Sequence, residues 1–113
     1  MILKPFLFLD ENDTTGESNP LNVMGADQLT ISVEASGAVD LTVYGKLDNQ
    51  STEWHELGGI SLIDYESASP IDSTGVYTFI VSGLTAVKIV NNGTAGNCKV
   101  FGNLCNAESG GAW

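Results

Sequence analysis

Apolar and polar residues alternate one by one along most of this chain, and that period of two constrains the fold more than any other feature. Leu29, Ile31 and Val33 interleave with Gln28, Thr30 and Ser32, and Val39, Leu41 and Val43 repeat the pattern. Successive side chains of a strand point to opposite faces, so each run buries one face and wets the other; a helix would space its apolar residues by three or four. Val76 to Ser82 continues the series with Tyr77, Phe79 and Val81 on one side, and Thr85 to Val90 sets Val87 and Ile89 against Ala86, Lys88 and Val90. Asn97 to Gly102 reads as the last strand, with Val100 inward and Phe101 a second inward candidate. A short strand carries Trp54, and Ile60 to Tyr65 reads as an edge strand.

Turn chemistry separates these runs: Ser36-Gly37, Asp48 to Thr52, Gly58-Gly59, Ser73 to Gly75, Ser82-Gly83 and Asn91 to Gly93. Ser36-Gly37 reads as a tight hairpin turn, with glycine supplying the positive φ, which would pair the strands on either side antiparallel. Turn signals every ~8–12 residues without helical periodicity predict an all-β chain, a single antiparallel β-sandwich of jelly-roll or Ig-like type with seven to eight short strands. Leu29, Ile31, Val33, Leu41, Val43, Phe79, Val81 and Val100 form its expected core.

A chain of 113 residues is one domain, 1–113, and 42% hydrophobic residues suffice for one core. The segment 10–26 lacks periodicity and reads as an acidic connection from one sheet to the other. Residues 103–113 read as a C-terminal tail. Fourteen acidic side chains against four lysines give a net charge of −10, and the lysines are scattered. Nothing gathers cations to neutralise phosphates or anionic lipid, so nucleic acid and membrane surfaces are not expected partners. The opening nine residues are apolar, too short to span a bilayer and interrupted by Lys4-Pro5; they read as a strand rather than a signal peptide. Cys98 and Cys105 are expected as thiols in a reducing cytosol, and with no histidine near either they make a poor metal site.

Catalysis has few parts to work with. His55 is the single histidine, no G-x-S-x-G elbow or phosphate-cradling glycine loop is present, and no enzyme activity or cofactor is expected. The cluster Asp10-Glu11-Asn12-Asp13 with Glu17 carries the oxygens calcium favours, but Thr14, Thr15 and Leu21 fall where an EF-hand loop needs a third oxygen ligand, glycine and glutamate. It reads as a solvated acidic loop. Aromatic rings in a row on one face would suit a sugar. Tyr44, Trp54 and Tyr65 are the candidate ligand platform, although Trp54 after its turn also fits a core-sealing role. Residues 1–8 hold more apolar surface than one strand of a small sandwich readily buries, which makes Ile2, Phe6 and Phe8 candidate partner-binding residues. Trp113, on a Gly-Gly-Ala tail, is a second candidate anchor.

Three segments carry a family likeness. Gly45-Lys46-Leu47-Asp48 running to Trp54-His55-Glu56-Leu57, then Thr74-Gly75-Val76-Tyr77, then Ser82-Gly83-Leu84 to Val87-Lys88, resemble the small β-sandwich proteins of tailed-bacteriophage virions. The resemblance spans roughly Leu29 to Gly102, and Lys88 stands where arginine is usual. It implies a virion structural protein: a capsid decoration, or a fibre- or tail-associated subunit. Such a subunit binds other virion proteins (major capsid, tail or fibre) and copies of itself, is assembled in the bacterial cytoplasm, and has no catalytic residues to carry over. The alternative is a carbohydrate-binding adhesion module that meets a surface glycan through the aromatic platform around Trp54.

Overall fold

The computed structural model describes residues 2–10, 16–37, 39–47, 53–68, 70–92 and 97–105, with the side chains of 2–5, 68 and 97 outside the description. Its strands are β1 (Ile2–Leu9), β2 (Gly16–Glu17), β3 (Leu21–Asn22), β4 (Gln28–Ser36), β5 (Leu41–Lys46), β6 (His55–Glu56), β7 (Gly59–Ser61), β8 (Ser67–Ala68), β9 (Gly75–Ile80), β10 (Ala86–Asn91) and β11 (Asn97–Cys105). They form two sheets, a six-stranded one in the order β1-β11-β4-β9-β7-β8 and a five-stranded one in which β2 and β3 both pair with β10, followed by β5 and β6. All named pairings are antiparallel. No helix occurs among the described residues, and none could cross a membrane. The all-β sandwich read from the alternation is the fold observed. The count exceeds seven or eight because β2, β3, β6 and β8 are pairings of two residues each.

The two inner faces meet in one core. Leu29, Ile31 and Val33 of β4, Phe79 of β9 and Val100 of β11 face Leu41 and Val43 of β5 and Val87 and Ile89 of β10, and all of them are buried. The eight expected core residues are all in that layer, each contributing ~1.5–3 kcal/mol for apolar surface taken from water.

Three local expectations need correction. Strands β4 and β5 do not pair: β4 lies between β11 and β9, and β5 between β10 and β6. Gly37 does take a positive φ of 99°, but the chain it turns passes from one sheet to the other, with Val39 buried on the way. The strands then face each other across the core. The 10–26 connection does visit the second sheet, yet it is stitched there. The Ser18 N–H donates to the Ile89 carbonyl at 2.8 Å, the Ile89 N–H donates to Ser18 Oγ at 2.9 Å, and Val23 is fully buried. The last strand also outruns Gly102 and reaches Cys105, because Leu104 is buried against Leu29 in register; residues 106–113 lie outside the described residues. Val100 faces inward and Phe101 outward, as the period requires.

Candidate binding surfaces

The N-terminal strand resolves one of the two apolar ends. A register shift between Leu7 and Leu9 turns both Phe8 and Leu9 into the core, at 5% and 3% exposure. Phe8 is therefore not a partner-binding residue: its ring lies across β11, where a Cβ on Gly102 would stand 2.7 Å from it. Phe6 is half-buried and packs edge-on against Phe8, with ring centroids 4.9 Å apart and planes at 76°. Among the described side chains of this strand, the exposed apolar one is Leu7. The side chain of Ile2 and the whole of Trp113 lie outside the described residues, as do residues 11–13 of the acidic cluster.

On the outer face of the five-stranded sheet, alternation along β5 sends Tyr44 and Lys46 outward, and the antiparallel register sets Lys88 beside Tyr44. Two ammonium groups share the indole of half-buried Trp54: Lys46 Nζ is 4.8 Å and Lys88 Nζ 4.7 Å from the ring centroid. Lys88 also lies 6.0 Å from the Tyr44 ring and pairs with Glu17 of β2 at 2.9 Å. Ammonium over an aromatic face is an attraction of the ring quadrupole, so these lysines cap the surface that a sugar ring would need. Tyr65 is not part of this group. It sits in the turn between β7 and β8 of the other sheet, at φ 61°, and is 78% exposed. The three-residue platform is thus split between the two sheets.

Lys88 ties three strands through one charge, which makes its energetic weight measurable. Replacing Lys88 with methionine keeps the stem and removes the ion pair and the ring contacts. A loss of about 1 kcal/mol of stability is expected in urea titrations at low salt, shrinking in high salt because Glu17 is exposed.

A cleft of about 190 Å³ opens between the β7–β8 turn and the segment before β9. Ser61, Asp64, Glu66, Asp72, Thr74 and Tyr77 are among its lining residues. Much of its polar chemistry is spent internally. The Tyr77 hydroxyl donates to the Ser73 carbonyl at 2.8 Å, Asp64 Oδ1 accepts from the Glu66 N–H at 3.0 Å, and Thr74 Oγ1 accepts from the Ala35 N–H at 3.0 Å. No group of three or more His, Cys, Asp or Glu side chains among the described residues is placed to hold a metal ion. His55 is exposed on β6. Cys98 is buried, Cys105 is half-buried, and neither is in a disulfide.

No protein-family model matches the chain, and no curated protein matches it in sequence. Solved structures do match it in fold. The SPBc2 prophage-derived protein YomS superposes with a TM-score of 0.79 at 22% identity, covering 89% of this chain and 90% of that one. The PBSX exported protein XepA gives a TM-score of 0.81 at 21% identity, covering 89% of this chain and 37% of that longer one. At such identities the likeness is one of fold: the same sandwich nearly fills one prophage-derived protein and makes up about a third of another.

Proposed function

We propose that this chain is a non-enzymatic structural subunit of a phage or prophage, a β-sandwich module of the capsid-decoration, fibre or tail-associated kind. The observation that carries the reading is the fold match over 89% of the chain to two proteins of prophage origin, one hardly longer than the module and one containing it as a part. A unit found both nearly alone and inside a longer chain behaves as a building block. The lysine-capped Trp54 and the separation of Tyr65 from Tyr44 weigh against the glycan-binding alternative.

The test is compositional. Particles banded on a density gradient from lysed host cells are digested and quantified by mass spectrometry. The chain is expected at a fixed copy ratio to the major capsid protein, and its absence from the banded particles would overturn the reading. Recovery on host cell walls instead would favour the adhesion module. In the same particles His55→Ala is expected to leave incorporation unchanged, since its ring is exposed and joins no nucleophile or metal grouping among the described residues.

A further inference from the structure

We infer that the outer face of the six-stranded sheet is an interface between copies of this chain. Register fixes the composition of that face. Leu7, Phe101, Ser32 and Val76 form one row across β1, β11, β4 and β9; Asn103, Thr30, Thr78 and Ile60 form the next across β11, β4, β9 and β7; Cys105, Gln28 and Ile80 form a third. Leu7, Phe101, Ile60 and Ile80 are between 40% and 71% exposed, which is a large apolar area to leave in water on one side of a small sandwich.

Three polar side chains at the centre of this face are paired with one another. Gln28 Nε2 donates to Thr78 Oγ1 at 2.8 Å, and the hydroxyls of Thr78 and Thr30 lie 3.3 Å apart, forming a ladder that runs up the middle of the sheet. Burial is costly for a polar group that loses its partner, and these bring theirs with them. Leu7 and Phe101 flank the ladder on one side, and Ile60 and Ile80 on the other. The order apolar, polar, apolar is the same read from either edge.

Charge selects the occupant. In a chain carrying −10, the charged side chains described on this face are Lys99 and Glu34, register partners of opposite sign, and Lys99 Nζ rests 5.4 Å from the Phe101 ring centre. Two copies meeting here do not set acid against acid, because the two described charges cancel on each face. A basic partner finds no complement on such a face, whereas a second copy finds one that matches its own. The extent is adequate as well. The six strands hold 37 residues, which at ~3.4 Å along and ~4.8 Å across each span roughly 600 Å², about three-quarters of the ~800 Å² each partner gives a standard interface.

The purified full chain provides the test without any particle, so its outcome is separate from that of the structural-subunit reading. Light scattering behind size-exclusion at ~50 μM is expected to return a multiple of the 11.9 kDa chain mass. Phe101→Glu and Ile80→Glu, each placing a charge on the face, should weaken self-association by about 100-fold or more and return the single-chain mass. Both side chains are outside the core, so thermal transitions should stay within a few degrees. Leu47→Glu, exposed beyond β5 on the other sheet, should leave the wild-type mass unchanged. A wild-type chain that runs as a single copy overturns the inference, and so does an oligomer that survives both substitutions.

Discussion

Replacing Phe79 with alanine is expected to remove about 3–5 kcal/mol of stability, out of the ~5–15 kcal/mol typical of a domain. The ring is 1% exposed, lies on the inner face of β9 opposite Leu29 of β4, and is the largest fully buried side chain among the described residues. Truncation forfeits the transfer energy of the ring and leaves a void that close-packed neighbours on both sheets cannot fill. Urea denaturation of the folded variant should show the midpoint lowered by that energy divided by the slope, with the slope itself retained. A loss below ~1 kcal/mol would mean that the two sheets are not joined through this ring.

Gly59→Val should damage the same place from the opposite direction, by about 1–3 kcal/mol or more. A Cβ built at Gly59 would stand 2.4, 2.6 and 2.8 Å from three carbons of the Phe79 ring. Because that ring is packed on all sides, it has nowhere to swing. Gly59 is not among the glycines with positive φ, so the constraint is space and not backbone conformation. The two sites are therefore coupled. Adding Phe79→Leu to Gly59→Val should recover part of the loss, giving an interaction energy of ~0.5–3 kcal/mol in a double-mutant cycle, whereas strict additivity would show that the ring and the glycine do not share the volume.

The inner layer was legible because a period of two at Leu29, Ile31 and Val33 has one structural solution, and burial enforces it. Sheet membership was harder to read. Ser36-Gly37 has the chemistry of a hairpin, and the same positive φ serves equally in a corner that moves the chain between sheets; what decides is the competition of β9 and β11 for the edges of β4, which involves residues far along the chain. At the C-terminal side, Asn103 and Cys105 flank a single leucine and resemble a tail until Leu104 is seen against Leu29. Phe8 looked like surplus apolar surface because nothing local announces a bulge, nor that Gly102 would clear a path for its ring. Among the candidate sites, Trp54 and Tyr44 both lie near Lys88, but Lys46 and Lys88, which meet the Trp54 ring, come from β5 and β10, and only the register brings those together. The cleft beside Tyr77 was hidden in a run of serines and aspartates whose composition says turn and no more.

The placement of β11 sets a timetable for the chain's synthesis. The first strand and β4 are both neighbours of β11 and not of each other, so the six-stranded sheet has a gap between them until residues through Cys105 have been made. A ribosome holding a shorter nascent chain therefore presents two unpaired strand edges, with Phe8 and Leu29 lacking the cover of Val100 and Leu104. The sheet is complete only after β11 leaves the exit tunnel, and pairing β1 with β11 requires closing the long loop between them. Products cut short before Asn97 would be left with open edges, the form in which β-proteins aggregate or are cleared by proteases.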